Sequence, residues 1–434
     1  MEKIKKLNVI TGIIAIGFII ALIYHFILGN FFHLLFPYNT FLFIPKARFS
    51  DFTYNYNIFQ TLAFNPYVQW HLAVNYFPFG MLTLYLFRLL PFFLSFILYF
   101  IIVIGYFAQY TYQNIKKIIP QTSQINILIS FVVISFLSYP FLFVMDRGNN
   151  DAFVFIFTSL FIYFFVKEKY LISALILAIP IAMKGYFVIF IALFLATKKY
   201  REAFYCLLTS FILTFISLIL AKGCLFHNIS WFISKHMLYY KNNYIIHNDG
   251  LGWGASLFGI IKVIIFWLND CIKPIFYQLN NSFIYLPSFI CEPKQESFLL
   301  IEKALKIFTP ISAIMILAIM IYCIFAKIEL WKKVLLLFIC SILFTPVSGD
   351  YKLINLFIPL WLFINSETKS KTDLIYIILF GLILIPKNYI QFFSTPAYNL
   401  FSISIILNPL ILVIMAILII TENLKLNLKF FSKN

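Results

Sequence analysis

Charged residues are scarce in this chain of 434 residues, and acidic residues are the scarcest. Only 11% of the residues are charged, and 16 Asp and Glu stand against 33 Lys and Arg. A soluble domain carries about 25% charged residues. Because 62% of this chain is hydrophobic and its long apolar runs alternate with short polar segments, the composition excludes an ordinary soluble protein and indicates a polytopic membrane protein.

The sequence also lacks the motifs of common nucleotide and metal sites. It has no GxxxxGK[ST] loop, no GxGxxG turn and no HExxH pair, which argues against the nucleotide and zinc sites that those motifs build. The six cysteines contain no CxxC pair, which argues against zinc or redox chemistry. We therefore predict no cofactor and no metal, since His247, Asp249 and Asp350 give a metal site little support.

Cys271 and Cys291 lie in a segment that we predict to be external, where disulfides can form. The sequence is equally compatible with a disulfide between them and with two free thiols.

Lys and Arg recur in short clusters between the apolar runs. Such clusters mark the cytoplasmic side of a membrane protein, so the net charge of +17 does not indicate a nucleic-acid partner. Spans of about 20 apolar residues, oriented by these clusters, predict about twelve transmembrane helices in a single domain over residues 1–434. We expect a retained first span from Val9 to Leu28, both termini in the cytoplasm, and outer segments over about 30–90 and 222–298 that carry interfacial helices.

Five aspartates fall at the outer face of this predicted topology: Asp51, Asp146, Asp151, Asp249 and Asp350. No acidic residue falls in the middle of a predicted span. Acids inside a bilayer are costly and usually functional, so a proton-coupled transporter is expected to place some at mid-depth. The polar chemistry is instead predicted to gather at one end of the bundle.

Asp51 stands out because it lies in a polar and aromatic segment, residues 46–80, between apolar runs. A general base needs a carboxylate near a hydroxyl group, and aromatic neighbours such as Tyr54 and Tyr67 suit sugar rings and lipid headgroups. A helix cap is the simpler interpretation of a single Asp in a loop. Asn65 belongs to the same segment and is a further candidate for binding a substrate.

Residues 146–151, DRGNND, place two acids, a cation and two amides between two predicted spans. A hairpin turn explains the Gly and Asn equally well. An arginine on the outer face opposes the usual charge bias, and its planar guanidinium suits a phosphate group. Lys184 lies at the outer end of another span, although a lysine there can simply extend to the interface. Lys352 could form a simple ion pair with Asp350.

In this order along the chain, the residues resemble those of C-type membrane glycosyltransferases that use polyprenyl-phosphate sugars, in particular the mannosyltransferase-like glycosyltransferase family 87. The acid after the first span, the Asn-Pro-Tyr at Asn65, the Gly-Asn turn, Lys184-Gly-Tyr and the late Asp350-Tyr-Lys-Leu carry the resemblance over most of the chain. Three steps depart from the family pattern. Tyr76-Phe-Pro-Phe stands where the family usually has Tyr-Pro-Pro, Arg-Gly-Asn-Asn-Asp stands for Gly-Gln-x-Asn, and Gly185 stands where Pro is frequent.

The resemblance implies an all-α C-type bundle with an active site on the periplasmic or extracellular face of the cell membrane. It implies transfer of a mannose-like hexose or a pentose from a polyprenyl-phosphate donor to a lipid or glycan acceptor, with Asp51 as the base and Arg147 and Lys184 on the donor phosphate. The predicted substrate-binding residues are Tyr54, Asn65, Tyr67, Asn149, Asn150, Asp151, His247, Asp350, Tyr351 and Lys352.

Two alternatives remain open at the level of sequence. An O-antigen ligase or polymerase is also polytopic, with a large outer loop and basic residues, but it predicts no special role for Asp51. A transporter or lipid flippase needs inverted repeats and polar sites in the middle of the bilayer, and the sequence has neither.

Overall fold

The computed structural model describes residues 2–33, 48–62, 76–119, 123–247, 251, 254–278, 285–367, 370–394 and 398–431. Most of these residues are helical, so the prediction of a mainly helical membrane protein is confirmed. Among the described residues, five helices are long and apolar enough to cross a membrane, or six if one bent pair counts as a single span. The predicted total of about twelve crossings and the outer-face helices stay a prediction.

The described residues of the first half of the chain form ten α-helices. They are α1 (Glu2–Phe26), α2 (Ser50–Leu62), α3 (Pro78–Arg88), α4 (Phe92–Lys116), α5 (Gln124–Phe136), α6 (Tyr139–Arg147), α7 (Asp151–Val166), α8 (Tyr170–Met183), α9 (Ile191–Ala196) and α10 (Tyr200–Leu220). A π-helical turn, Ile27–Phe31, follows α1, and a 3₁₀ helix, Gly185–Phe190, separates α8 from α9.

The second half begins with two short helices that alternate with π-helical turns: α11 (Leu225–Trp231), a turn at Phe232–His236, α12 (Met237–Tyr240) and a turn at Lys241–Ile246. The remaining helices are α13 (Leu257–Asn269), α14 (Gln295–Phe325), α15 (Leu330–Leu343), α16 (Phe357–Asn365), α17 (Asp373–Leu384) and α18 (Ser404–Phe431). A 3₁₀ helix, Asp350–Leu356, leads into α16.

Proline explains where two long apolar runs are interrupted. The apolar run from Phe77 to Thr111 contains Pro91, where the sequence predicts a break, and α3 does end at Arg88 while α4 begins at Phe92. The apolar run from Ile125 to Met145 predicts a single span, but α5 and α6 meet at an angle of 47°. Pro140 lies at the start of α6, where a ring without an N–H is tolerated and the preceding residue is biased away from helix.

Several apolar helices are shorter than the five or six long ones, and the sequence prediction of about twelve crossings includes helices of this kind. Helices α7, α8, α13 and α17 are each shorter than a full crossing, and the structure buries much of α7, α8 and α17. In α15 every residue from Val334 to Leu343 is buried. A helix that is apolar on all sides belongs in the interior of a large bundle or in a membrane, so hydropathy alone does not distinguish a core helix from a lipid-facing span.

A small four-stranded sheet was not predicted. Its strands are β1 (Cys271–Gln278), β2 (Tyr285–Cys291), β3 (Gln391–Ser394) and β4 (Tyr398–Ser402), in the order β1-β2-β3-β4. The β2–β3 pair is parallel and the other two are antiparallel, with Cys271 opposite Cys291. Cys291 is disulfide-bonded, whereas Cys206, Cys224, Cys323 and Cys340 are free.

Charged and polar residues gather at two opposite ends of the bundle. At one end, Lys6 pairs with Asp373 (2.6 Å) and Lys332 pairs with Glu422 (2.9 Å). At the other end, Asn408 donates to the buried carboxylate of Asp350 (3.1 Å). Asn408 and Glu422 both lie on α18, about four turns or 20 Å apart. The acids at the two ends are therefore separated by an apolar layer of about 20 Å, roughly two thirds of the hydrocarbon thickness of a bilayer.

Helix α1 packs closely against α17 through two glycines. A Cβ on Gly381 would lie 2.7 Å from the Cγ2 of Ile13, and a Cβ on Gly17 would overlap the side chain of Ile385. Small residues of this kind let membrane helices approach until their backbones are nearly in contact. The contact attaches the first span to the helix that carries Asp373.

This contact makes a testable prediction about stability. Replacing Gly17 with Val should destabilise the protein by roughly 1–3 kcal/mol, because the side chain has no room against Ile385. Thermal unfolding of the purified protein in detergent measures the change. Gly12→Val is the matched control, since a Cβ on Gly12 has no neighbour within 4 Å. Equal melting temperatures for the two variants would contradict the close α1–α17 contact.

Candidate active site

Helix α2 lies against the turn that joins α6 to α7. The backbone N–H of Phe49 donates to the carbonyl of Asp146 (2.5 Å) just before α2 begins. Gly148 ends α6 with a φ of 63°, and a Cβ there would lie 2.8 Å from the Cβ of Phe52. Only glycine adopts this backbone conformation without strain. Gly148 therefore allows the close approach that brings Asp51 to the turn.

Asn149 in the same turn fixes the Asp51 carboxylate. Its Nδ2 donates to Oδ2 of Asp51 (2.5 Å) and lies 3.3 Å from the Tyr76 hydroxyl. Its Oδ1 accepts from the backbone N–H of Asp151 (2.9 Å), and its carbonyl accepts from the Tyr99 hydroxyl (2.8 Å). Asn149 is buried. Its side chain contacts Asp51, Tyr76 and Asp151, and its carbonyl contacts Tyr99, so the orientation of the amide is fixed.

Asp51 is the accessible acid of this group. Its side chain is 25% exposed, and its Oδ1 lies 3.9 Å from Nη2 of Arg147. Asp146, Asp151 and Asp350 are all buried. A substrate that enters from the surface therefore meets the carboxylate of Asp51 first, with the Arg147 guanidinium beside it.

Lys184 and Asp151 form a close ion pair next to this carboxylate. Asp151 begins α7 and its side chain is fully buried, while that of Lys184 is 11% exposed. Lys184 follows α8 in an extended conformation, which turns its side chain back toward the start of α7. Removing either partner would leave an uncompensated buried charge, which is strongly destabilising.

The turn before α16 supplies the third side of the site. Nζ of Lys184 lies 5.2 Å from the ring centre of Tyr351 and 5.4 Å from that of Tyr76. Nζ of Lys352 lies 4.1 Å from the ring centre of Tyr186. The structure thus brings together the predicted residues Asp51, Arg147, Asn149, Asp151, Lys184, Tyr351 and Lys352.

Asp350 faces away from Lys352, so the suggested ion pair between them does not form. The Asp350 carboxylate accepts from the Tyr139 hydroxyl (2.9 Å) and from Nδ2 of Asn408 (3.1 Å). Burial raises the pKa of Asp350, and the hydrogen bond from Tyr139 and the charge of Lys387 limit that rise. Lys352 donates instead to the Thr345 hydroxyl (3.2 Å) and to the Val347 carbonyl (3.4 Å).

The other predicted residues lie around this group or outside the described residues. Nδ2 of Asn150 lies 3.4 Å from the Gly80 carbonyl, and Tyr54 is exposed on α2. His247 packs on Phe298 of α14, with ring centres 4.3 Å apart, and this contact does not join it to Asp51. Asn65, Tyr67 and Asp249 lie outside the described residues.

Sequence reasoning missed four tyrosines of this region as site residues: Tyr76, Tyr99, Tyr186 and Tyr240. Burial raises the pKa of Tyr186, and the negative charge of Asp151 raises it further. Tyr240 in α12 adds to the electrostatic environment of both Tyr186 and Tyr351. The chain has 27 tyrosines, so their number indicates an aromatic site but does not show which of them line it.

The described residues contain no group of three or more His, Cys, Asp or Glu placed to hold a metal ion. Of the weak metal set suggested by the sequence, His247 and Asp350 contact different partners. Cations at the site come from Arg147, Lys184 and Lys352. They are suited to an anionic ligand, and a guanidinium group can form two parallel hydrogen bonds with a carboxylate or a phosphate.

Comparison with known families supports the resemblance. Residues 75–268 match the sequence model of glycosyltransferase family 87, so this part of the chain is similar to that family, as the sequence predicts. The matched range includes Tyr76, the turn at 147–151 and Lys184, while Asp51 and residues 350–352 lie outside it. The comparison with curated proteins finds no match.

The left-handed turn makes a testable prediction. Gly148→Ala should destabilise the protein by roughly 1–2 kcal/mol from backbone strain alone, and more because the new methyl group meets Phe52. Thermal unfolding in detergent measures the loss. Gly105→Ala is the matched control, because a Cβ on Gly105 in α4 has no neighbour within 4 Å. Equal melting temperatures for both variants would show that α2 does not lie against this turn.

Proposed function

We propose that this membrane glycosyltransferase, related to family 87, transfers a sugar from a polyprenyl-phosphate donor to a hydroxyl group of a lipid or glycan acceptor. The transferred sugar is a mannose-like hexose or a pentose, and the reaction takes place on the non-cytoplasmic face of the cell membrane. The observation that carries the proposal is the convergence of one accessible carboxylate, Asp51, with Arg147 and Lys184 at one end of the bundle.

Asp51 is proposed as the general base. The acceptor oxygen attacks the anomeric carbon of the donor sugar from the side opposite the phosphate, so the configuration at that carbon inverts. As the new C–O bond forms, the acceptor proton moves to Asp51 and the bond to the phosphate oxygen breaks. Asn149 holds Oδ2 of Asp51 (2.5 Å), which leaves Oδ1 as the better placed oxygen to accept the proton.

Arg147 and Lys184 are proposed to hold the donor phosphate. The phosphate gains negative charge as the sugar leaves, and fixed cations placed at that point stabilise the transition state more than the ground state. Lys184 is already held by Asp151, so it needs little reordering when the phosphate binds. Tyr76 and Tyr351, whose rings face Lys184, provide flat surfaces for a sugar ring.

Two observations support the non-cytoplasmic face. The basic clusters of the sequence mark the opposite side of the predicted topology, and the Lys6–Asp373 and Lys332–Glu422 pairs lie at that opposite end. In addition, the backbone N–H of Ala255 donates to the carbonyl of Ser348 (2.6 Å), which ties the 350–352 turn to the segment that leads to the disulfide-bonded β-sheet. Disulfides persist in oxidising compartments outside the cytoplasm.

The alternative of an O-antigen ligase or polymerase gives Asp51 no role, whereas the contacts to Asn149 and Arg147 place this residue at the centre of the polar group. A transporter needs polar sites at mid-depth, and the acids described above lie at the two ends of the bundle. A transferase, in contrast, needs a carboxylate and cations together at one end of the bundle, as Asp51, Arg147 and Lys184 are.

The role of Asp51 predicts a large loss of activity for Asp51→Asn. Transfer should fall by roughly 10²- to 10⁴-fold, the usual contribution of a general base, because the amide cannot accept the acceptor proton. The measurement is transfer of radiolabelled sugar from a polyprenyl-phosphate donor in proteoliposomes. The control is Glu302→Gln on α14, the same change of a carboxylate to an amide at a half-exposed ion pair with Lys241. Wild-type activity in Asp51→Asn would remove the base assignment.

The phosphate assignment makes a separate prediction about donor binding. Arg147→Gln should raise the half-saturating donor concentration by about 10-fold or more, since a hydrogen bond to a charged group contributes roughly 1.5–3 kcal/mol. Lys184→Gln should do the same when the rates are measured on the folded, monodisperse fraction, because this substitution also destabilises the fold by removing the partner of Asp151. Initial rates over a range of donor concentrations give the values. Arg201→Gln is the control, because Arg201 is exposed on α10 beside Tyr205. A donor dependence unchanged in both site variants would contradict the assignment.

A further inference from the structure

Lys352 is a buried lysine at the candidate site, with a polar rather than an acidic set of neighbours. Its amine donates to the Thr345 hydroxyl (3.2 Å) and to the Val347 carbonyl (3.4 Å). The amine also lies 4.1 Å from the ring centre of Tyr186. Within the described residues, no carboxylate lies within ion-pair distance of Lys352, in contrast to Lys184 and Arg147.

The number of hydrogen-bond donors on Lys352 separates its two protonation states. A neutral amine has two N–H groups, and the two oxygen acceptors satisfy both. The charged ammonium has a third N–H, and the described residues give that donor only the face of the Tyr186 ring. An aromatic face accepts a cation, but it does not neutralise its charge. Both N–H groups of the neutral amine therefore have an oxygen acceptor, whereas the ammonium has a third N–H group that can bind an anion.

The elements packed against the 3₁₀ helix of Lys352 are α6, α7, α15 and α16. Their titratable or charged groups nearest the site are Tyr139, Asp146 and Arg147 of α6 and Asp151 of α7, together with Cys340 of α15, and α16 carries none. Lys184 and Tyr186 face Lys352 from the turn after α8. Of these groups, Lys184 and Asp151 are the ones whose charges act on Lys352, and Lys184 opposes its protonation.

We propose that Lys352 is a third, proton-dependent cation of the phosphate site, which takes up a proton when an anionic phosphate ester binds. This inference rests on the proposed function, because it assumes that the ligand at Arg147 and Lys184 is a phosphate. Binding of the anion and binding of a proton are then coupled at one buried lysine.

The charge balance of the site gives the coupling its physical reason. Arg147 and Lys184 are matched by Asp51 and Asp151, so an added phosphodiester brings a negative charge that these pairs do not balance. A proton on Lys352 supplies the missing positive charge. During transfer the diester becomes a monoester with a second negative charge, so a cation at Lys352 stabilises the leaving group as it forms.

The pKa of Lys352 in the free protein sets the pH range in which ligand binding takes up a proton. Burial, and then the charge of Lys184, lower the pKa of Lys352 to about 7, while Asp151 opposes the change. Below this pKa the free site already holds the proton, and binding takes up none. Above it, binding must take up a proton, so the affinity for a phosphodiester should fall by up to about tenfold per pH unit until the pH passes the raised pKa of the bound state.

The experiment uses hexyl methyl phosphate, a phosphodiester whose single negative charge does not change between pH 6 and 9. Isothermal titration calorimetry of the full-length protein in detergent, in pairs of buffers with different ionisation enthalpies, measures both the affinity and the protons taken up. For the wild type at pH 8, we expect an uptake approaching one proton per bound ester. At pH 6, we expect tighter binding with an uptake close to zero.

Two variants separate Lys352 from the other groups. Lys352→Arg keeps a permanent charge, so its proton uptake at pH 8 should vanish and its affinity should stay nearly constant with pH. Lys352→Met removes the titrating amine, so uptake should vanish there as well while the affinity is lower at pH 6. A substitution that only destabilises the fold would lower the affinity for the ester but would leave the proton uptake in place. Loss of proton uptake in both variants therefore assigns the uptake to Lys352.

Binding to the wild type without proton uptake at pH 8, or uptake that persists in both variants, would overturn the inference while leaving the proposed donor class intact. If the ester does not bind the wild type at pH 6, the proposed phosphate donor and this inference fail together.

Discussion

The site depends on one buried asparagine, Asn149, and on the left-handed turn that positions it. This residue touches α2 through Asp51, α4 through Tyr99 and α7 through the backbone of Asp151. A buried polar group that loses its partner costs about 1–3 kcal/mol, so each of these contacts fixes the position of the others. The network therefore orients the Asp51 carboxylate through contacts with several helices and not through α2 alone.

The same geometry explains how several charges coexist in a bundle that is otherwise apolar. Burying an isolated charge is very costly, and a buried pair recovers that cost only with good geometry and further hydrogen bonds. Asp151 meets the first condition through its close ion pair with Lys184, while its other carboxylate oxygen, Oδ1, has no hydrogen-bond partner among the described residues. Asp350 forms no ion pair within 4 Å among the described residues, and its carboxylate accepts hydrogen bonds from Tyr139 and Asn408. Because Asp350 directly precedes Tyr351 and Lys352, its network holds the turn that presents those two residues to the site.

The sequence was sufficient to place the polar residues at one end of the bundle, because their positions at the ends of apolar runs follow from the cost of burying charge in a bilayer. The sequence was also sufficient to predict the helix break at Pro91, because proline lacks a backbone N–H and kinks or breaks a helix at an interior position. It did not separate core helices such as α15 from lipid-facing spans, since both are apolar on all sides. Nor did it show that Asp350 turns toward Tyr139 and not toward Lys352, because that choice depends on residues far apart in the chain.

The acids at the two polar ends of the bundle differ in their partners and in their exposure. Glu422 accepts from Lys332 and Tyr376 and contacts Thr372, and Asp373 pairs with Lys6 at 2.6 Å. At the other end, Asp51 is partly exposed, and both carboxylate oxygens of the buried Asp146 have no hydrogen-bond partner among the described residues. Polar groups that serve only stability are usually satisfied within the fold. The exposure of Asp51 and the unused bonding capacity of Asp146 are consistent with the proposal that the chemistry takes place at the end that carries Asp51.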